Sequence, residues 1–248
     1  MKDAKLITDG NGKRVYREGD RLLKMFGERY TKADVLNEAS NLARVEVTGL
    51  NVPKLLEVSV VDGDWTIISE FIEGDTLAYR MENEPDKYDE YLSLFIDLQL
   101  EVHSKTCPEL RKLRDNLTRR IGDSSRLTAT TKYDMISRVN SMPRHNKLCH
   151  GDFNPSNIII TSDGTPYIID WSHSTRGNSA AEAAMTYLYF ILRGKKENAE
   201  KYLEMFCEKN NTGKDYLLQW MPIVAASYTQ KCTDEEFEML KSWIFATK

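Results

Sequence analysis

The chain has 248 residues and a net charge of −4, and 41% of its residues are hydrophobic while 29% are charged. These values are ordinary for a soluble globular protein, and the acidic balance gives no reason to expect nucleic-acid binding. No apolar run approaches the roughly 18 residues that a membrane span requires, and the first residues lack an apolar signal core. The four cysteines lack the spacing of metal or redox sites. We therefore expect a cytoplasmic protein with reduced thiols and with neither a nucleic-acid nor a membrane partner.

The first stretch of the chain predicts three short strands joined by tight turns. Residues 5–8, 14–18 and 21–26 are rich in apolar and β-branched residues, and turn-forming residues separate them. The first turn contains Gly10 and Gly12, and a glycine-containing turn can place backbone N–H groups against a phosphate. Most glycine turns bind nothing, so this pattern alone is weak evidence for a nucleotide site.

Lys24 lies within the apolar third strand. Such a lysine either faces solvent on an edge strand or binds phosphate next to an acidic partner from a following helix. Residues 31–47 predict that helix, because Thr31 is a suitable N-cap and apolar residues recur at helical spacing. Glu38 lies within the apolar face, so we expect it to point inward and to require a cation. Glu46, at the helix end, is an alternative partner for the lysine.

Two further strands and a mainly helical remainder follow. Residues 55–61 and 65–71 flank an Asp-Gly-Asp turn, so the N-terminal part is predicted to contain five strands and one helix. Apolar spacing then predicts helices over residues 88–103, 110–121, 133–140, 180–192, 199–207, 214–227 and 234–245. His103, at the end of a largely apolar helix, is expected to be a structural histidine. The arginines and lysines of residues 110–121 are expected to form a solvated face.

The most informative residues lie between these helices. Residues 150–157 read His-Gly-Asp-Phe-Asn-Pro-Ser-Asn, and the β-branched runs within residues 158–169 predict a hairpin. Asp152 and Asn157 lie in the polar loop before the hairpin, and Asp170 ends its second strand. Carboxylate and amide oxygens are ligands that Mg²⁺ accepts beside phosphate and water. Each residue alone is explained as well by turn formation or capping, but the spacing of the set favours a metal and phosphate site.

This spacing resembles the catalytic loop of protein kinases, with Gly151 in place of the arginine and Asp-Trp in place of Asp-Phe-Gly. The combination is similar to the aminoglycoside phosphotransferase and choline kinase superfamily, whose members are small-molecule kinases. The resemblance implies an α+β, bilobal, protein-kinase-like fold. A five-stranded antiparallel sheet and one helix would form an N-terminal lobe over residues 1–72. A linker near residues 70–76 would lead into a mainly helical C-terminal lobe over residues 73–248.

The resemblance also implies roles for individual residues. Asp152 would orient the attacking hydroxyl and accept its proton, while Asn157 and Asp170 would hold Mg²⁺. Nucleotide contacts are expected from an ion pair, the glycine turn and the linker backbone, at Lys24, Glu38, Gly10, Gly12, Glu70 and Ile72. The acids of the C-terminal helices are expected mainly at the surface, with some at the rim of the acceptor pocket: Glu182, Glu200, Glu204, Glu208 and Asp215.

Together these features predict a Mg²⁺-dependent phosphotransferase that uses ATP, or GTP, to phosphorylate a hydroxyl of an aminoglycoside-like compound, an amino alcohol or a sugar. A protein kinase, an inactive nucleotide-binding module and a purely structural domain are the alternatives. The absent arginine and the short segment after Trp171 argue against a protein kinase, and the complete set of polar residues argues against an inactive module. Neither the acceptor nor the oligomeric state follows from the sequence, since polycations need an acidic cleft whereas choline needs an aromatic cage.

Overall fold

The computed structural model describes residues 4–245, and these form ten β-strands, ten α-helices and three short 3₁₀ helices. The described residues divide into two compact units. The first unit contains the chain up to Tyr88 together with Pro155–His173. The second contains Asp89–Asn154 and the chain from Ser174 onward. None of the helices within the described range is long and apolar enough to cross a membrane.

A five-stranded antiparallel sheet dominates the first unit. Its strands are β1 (Lys5–Gly10), β2 (Lys13–Glu18), β3 (Arg21–Phe26), β4 (Leu55–Val61) and β5 (Asp64–Glu70). Their order in the sheet is β1-β2-β3-β5-β4, so β1-β2, β2-β3 and β4-β5 pair as hairpins, while β3 pairs with β5 across the helical insertion. Lys24 on β3 lies opposite Val15 on one side and Ile67 on the other. The lysine is therefore on the central strand, and the alternative of an edge-strand lysine is wrong.

Helix α1 (Lys32–Glu46) packs on this sheet. Thr31 caps the helix, since its side chain accepts the N–H of Asp34 while the Asp34 carboxylate accepts the N–H of Thr31, as predicted. Val35 and Ala39 are buried in a cluster with side chains of β3 and β5, which fixes the helix face that looks onto the sheet. The Glu46 carboxylate accepts the N–H of Leu55, so it joins the end of α1 to β4 and is not the partner of the lysine.

The predicted hairpin is present and belongs to the first unit. A three-stranded sheet joins β6 (Asp75–Thr76), β8 (Ile158–Ile160) and β9 (Pro166–Ile168), and helix α2 (Leu77–Asn83) follows β6. The N–H of Ile168 donates to the carbonyl of Asn51 at 2.9 Å, and the Asn41 side chain donates to the carbonyl of Ser172 at 3.2 Å. These bonds tie the hairpin to α1 and its following loop. Packing therefore groups the hairpin with the five-stranded sheet and α1, and the lobe boundary at residue 72 stays a prediction.

The second unit is mainly helical, as predicted. Its helices are α3 (Tyr88–Ser104), α4 (Leu113–Asp123), α5 (Ala129–Ser141), α6 (Ser179–Leu192), α7 (Lys196–Lys209), α8 (Lys214–Leu218), α9 (Met221–Tyr228) and α10 (Asp234–Ile244). Strands β7 (Lys147–Cys149) and β10 (Thr175–Gly177) pair antiparallel. The prediction of one helix over residues 214–227 is wrong. Pro222 lies in the first turn of α9, where its missing N–H is tolerated, so a new helix begins there.

The approach of Gly74 to β8 yields a prediction about stability. A Cβ atom at this position would overlap the carbonyl oxygen of Ile160, which is backbone and cannot rotate away. Gly74→Ala should therefore lower the free energy of unfolding by about 1–3 kcal/mol in denaturant titrations. Gly122→Ala is the control, because Gly122 lies inside α4 with open space around its Cβ position. This control should leave stability unchanged or raise it by up to about 1 kcal/mol. Equal stability of the Gly74 variant and the wild type would contradict this close approach.

Candidate active site

Three elements of the first unit bring opposite charges together at Lys24. The Lys24 ammonium on β3 lies 2.5 Å from a Glu38 oxygen on α1 and 3.0 Å from an Asp170 oxygen after β9. The ion pair with Glu38 was expected from the inward position of that acid, and it is present. Burial disfavours the charge on Lys24, but the carboxylates of Asp170 and Glu38 outweigh this effect and raise the pKa of the lysine. The lysine is therefore a fixed cation.

A second lysine completes this cluster and was not foreseen from the sequence. The Lys13 ammonium lies 2.8 Å from the other oxygen of Glu38, and it also sits 4.8 Å from the ring centroid of Phe26. Lys13 is the first residue of β2, directly after the glycine-containing turn. The signal that could have revealed it is strand register, since Val15 lies opposite Lys24 and places Lys13 diagonally from it on the same face. Glu38 is thus bound at both oxygens and held in one orientation.

The end of the hairpin supplies oxygen ligands beside the lysine. Asp170 has φ of 60°, a left-handed conformation that costs free energy for a residue other than glycine and that occurs often at functional sites. The indole N–H of Trp171 donates to the carbonyl of Ile168, which holds the chain in this bend. The N–H of Ile169 donates to the carbonyl of Asn157, so the backbone brings Asn157 next to Asp170. An amide and a carboxylate close to the Lys24 ammonium fit the donor set of Mg²⁺.

The glycine-containing turn is a two-residue hairpin connection. Asn11 and Gly12 have φ of 53° and 65°, as a type I′ turn requires. The carbonyl of Gly12 accepts the N–H of Gly27, which joins the turn to the loop after β3. Gly10 is the last residue of β1 and has open space around its Cβ position. Hairpin geometry accounts for Gly12, and phosphate binding by either glycine stays a prediction.

The linker follows directly from the sheet. Glu70 is the last residue of β5. Its N–H donates to the carbonyl of Lys54, and its carboxylate accepts the N–H of Lys54. The chain then leaves the sheet through Ile72. Adenine binding by the backbone groups of Glu70 and Ile72 stays a prediction.

In the second unit a tight loop after β7 carries Asp152. Gly151 has φ of 84°, which only a glycine adopts easily, and this accounts for glycine where protein kinases have arginine. The N–H of Asp152 donates to the buried His150 ring at 3.3 Å, and the Asn154 side chain donates to the carbonyl of Asp152 at 3.0 Å. The neighbours of Asp152 thus fix its backbone, while its side chain is exposed.

The carboxylate of Glu182 on α6 binds the backbone of this loop. One of its oxygens accepts the N–H of Gly151 at 2.5 Å, and the other lies 2.8 Å from the ring nitrogen Nε2 of His103. The expectation of a surface or rim position for Glu182 is wrong, since this residue is only 1% exposed. The alanines on either side of it in α6 are the sequence signal of a buried face, on which an acid needs internal partners. His103 is buried and contacts Glu182 through Nε2, as a structural histidine would.

Asp152 lies in the wall of a cavity of about 430 Å³ within the second unit. Side chains of α4, α6, α9 and α10 form the other walls, and these include Arg120, Tyr189, Tyr228 and Glu236. The basic residues of α4 were expected to form a solvated face. Arg120 departs from that expectation, because the packing of α4 against α9 turns this side chain toward the cavity.

Comparison with known proteins identifies the family. A model of the phosphotransferase enzyme family matches residues 3–217. The chain belongs to this family. Membership makes the protein a phosphotransferase and confirms the superfamily predicted from the His-Gly-Asp and Ile-Asp-Trp motifs. Among curated proteins no sequence matches the chain.

Solved structures of small-molecule kinases share the fold. A thermostable mutant of aminoglycoside phosphotransferase APH(4)-Ia, in a ternary complex with ADP and hygromycin B, has a TM-score of 0.70 at 14% identity, covering 98% of this chain and 92% of that one. Choline kinase LicA from Streptococcus pneumoniae has a TM-score of 0.66 at 14% identity, with 99% and 94% covered. A choline/ethanolamine kinase family protein from Mesorhizobium loti has a TM-score of 0.65 at 14% identity, with 98% and 88% covered. These likenesses confirm the predicted fold class.

The buried carboxylate of Glu182 yields a second prediction about stability. Glu182→Ala leaves the N–H of Gly151 and the ring of His103 unpaired in the protein interior. The free energy of unfolding should fall by about 2–5 kcal/mol in denaturant titrations. Glu204→Ala, on the exposed face of α7, is the matched control and should change stability by no more than about 0.5 kcal/mol. A loss at Glu182 as small as that of the control would show that the carboxylate does not hold the loop.

Proposed function

We propose that the protein transfers the γ-phosphoryl group of ATP, or GTP, to a hydroxyl of a small molecule in a Mg²⁺-dependent reaction. The observation that carries this proposal is the cluster in which Lys24 lies 2.5 Å from Glu38 and 3.0 Å from Asp170. Residues 146 positions apart in the sequence meet there. The structures of APH(4)-Ia with ADP or AMP-PNP support nucleotide use by the shared fold.

The nucleotide end of the reaction lies with Lys24. Its ammonium donates to oxygens of the α- and β-phosphates, while Glu38 holds it in place and Lys13 holds the other oxygen of Glu38. Asn157 and Asp170 offer amide and carboxylate oxygens to Mg²⁺, which when bound neutralises charge on the β- and γ-phosphates. Lys24, positioned by Glu38, thus supplies positive charge for the triphosphate. Asn157 and Asp170 supply oxygen ligands for its Mg²⁺.

The acceptor end lies with Asp152. Its carboxylate orients the acceptor hydroxyl and accepts its proton, as the bond from the acceptor oxygen to the γ-phosphorus forms and the bond from that phosphorus to the leaving nucleoside diphosphate breaks. The hydrogen bond from Gly151 to Glu182 holds the loop, so the carboxylate needs little reorganisation during the reaction. Phosphoryl transfer proceeds through a loose transition state, and positioning together with charge neutralisation therefore supplies most of the acceleration.

The first test concerns Asp170. Asp170→Ala should abolish Mg²⁺-dependent turnover of ATP with a panel of hydroxyl acceptors, because a metal ligand is lost, while circular dichroism shows a folded protein. Asp163→Asn is the matched control, since Asp163 lies in the exposed turn of the same hairpin and, among residues 4–245, its carboxylate accepts hydrogen bonds only from Thr161 and Thr165 of that turn. The control should keep wild-type turnover. Full turnover of Asp170→Ala at saturating Mg²⁺ would remove this residue from the metal site.

The second test concerns Asp152. Asp152→Asn keeps the shape of the side chain but removes its proton-accepting charge, so kcat should fall by roughly 10²-fold or more. Nucleotide affinity, measured by calorimetry, should change little because the proposed partner of Asp152 is the acceptor. A variant with normal kcat and weakened nucleotide binding would assign Asp152 to the nucleotide site instead.

A further inference from the structure

Three cations line the same cavity as Asp152. Arg120 comes from α4, Arg193 follows α6, and Lys231 lies between α9 and α10. Within residues 4–245, no hydrogen bond or ion pair is formed by the side chain of any of the three. By contrast, Arg119, next to Arg120 on α4, lies 3.3 Å from Asp123 and donates to Asn116.

The surroundings of two of these cations disfavour their charge. Burial lowers the pKa of Arg120, and the positive charge of Arg119 lowers it further, although Asp152 acts in the opposite direction. Burial also lowers the pKa of Lys231, followed by the charge of Arg120, while Asp152 and Glu236 oppose the shift. Arg120, which is half-buried and has no bonded partner among residues 4–245, is stabilised by an incoming anion, and Lys231, which is more exposed, adds to that attraction.

Asp152 and Glu236, the two carboxylates of the cavity wall, act on these cations only through space and form no ion pair with them within residues 4–245. The carboxylate of Glu236 accepts the N–H of Thr233 at 2.9 Å, in the capping box that begins α10. The carboxylate of Asp152 is the proposed proton acceptor for the substrate hydroxyl. Three cations and two carboxylates make the cavity a site with excess positive charge.

Acceptors that carry positive charge fit this cavity poorly. The guanidinium of Arg193 lies 4.3 Å from the ring centroid of Tyr189, and the ammonium of Lys231 lies 5.1 Å from that of Tyr228. A cation of the protein therefore already occupies one face of each ring, the kind of surface on which a quaternary ammonium binds. An aminoglycoside, as a polycation, would meet like charges at the same positions.

We propose that the acceptor is a hydroxyl compound that carries an acidic group, a carboxylate or a phosphate, bound by Arg120 and Lys231. This inference rests on the proposed function and names its substrate class. The acidic group binds the two cations while the hydroxyl reaches Asp152, and guanidinium and acid oxygens form paired, charge-assisted hydrogen bonds. Apolar side chains of α6 and α9 in the same wall, among them Met185 and Val224, accommodate the carbon skeleton.

Binding of matched probes to the full chain tests this proposal. Glycerol, glycerate and glycerol 3-phosphate share a three-carbon hydroxylated frame and differ in charge, and choline adds a cationic hydroxyl compound. Calorimetry or ligand-observed NMR should show that at least one of the two acids binds about tenfold or more tightly than glycerol and choline. Preference for glycerate alone or for glycerol 3-phosphate alone identifies the acidic group as carboxylate or phosphate.

Charge-neutralising variants locate the acid-binding site. Arg120→Gln and Lys231→Gln should each reduce the preference for acids by about tenfold, whereas Arg119→Gln, which alters the neighbouring exposed arginine, should keep it. Both cavity variants should remain folded, because each removes an unpaired cation, and their melting temperatures check this. Loss of acid binding in Lys24→Met but not in Arg120→Gln would place the probes at the nucleotide site and overturn the proposal.

The remaining outcomes separate this inference from the proposed function. Tighter binding of glycerol or choline, or no binding of either acid throughout the millimolar range, overturns the acidic-acceptor proposal. Efficient transfer from ATP to a cationic acceptor overturns it as well but supports the kinase activity. Acid binding that depends on Arg120, without any turnover of nucleotide, would support the cavity assignment and refute the proposed function.

Discussion

Carboxylates that are withdrawn from water decide how this protein is assembled, because each one needs a cation or a hydrogen-bond donor close to both oxygens. The side chain of Glu38 is only 14% exposed, and its oxygens are bound by Lys13 and Lys24. Strands β2 and β3 and helix α1 must all be in place before these charges are satisfied. Lys24 is thereby held beside Asp170. The polar cluster of the first unit therefore forms only when its strands and helix have packed together.

The same constraint acts in the second unit through Glu182. One oxygen accepts the N–H of Gly151 and the other contacts the ring of His103. Glu182 and His103 are buried, and Gly151 is half-buried. The bond to Gly151 reaches the main chain, so a residue on α6 determines the path of a loop that precedes it by 31 positions. The hydrogen bond between Gly151 and Glu182 therefore positions Asp152, the next residue. Gly151 adopts the left-handed backbone conformation that this position requires.

Substrate choice depends on side chains that the shared fold does not specify. Aminoglycoside and choline kinases match this chain over nearly its whole length at 14% identity. In the cavity beside Asp152, however, two tyrosine faces are covered by cations of the protein itself. Arg120, whose side chain forms no hydrogen bond or ion pair with the described part of the chain, adds a further positive charge to the same cavity. This composition supports the proposed acidic acceptor, because an anion would be attracted to these cations.

The sequence by itself determined the five strands, the capped helix, the hairpin before Asp170 and the ion pair of Lys24 with Glu38. These features follow from local periodicity, turn chemistry and the rule that an inward acid needs a cation, all of which act within short stretches of chain. Only the tertiary structure decided that Lys13 shares Glu38, that Glu182 is buried, and that Arg120 lines a cavity. A lysine beside a turn or an arginine in a basic helix has the same local sequence whether it faces water or the interior. Strand register and helix packing, which join residues far apart in the chain, make that choice.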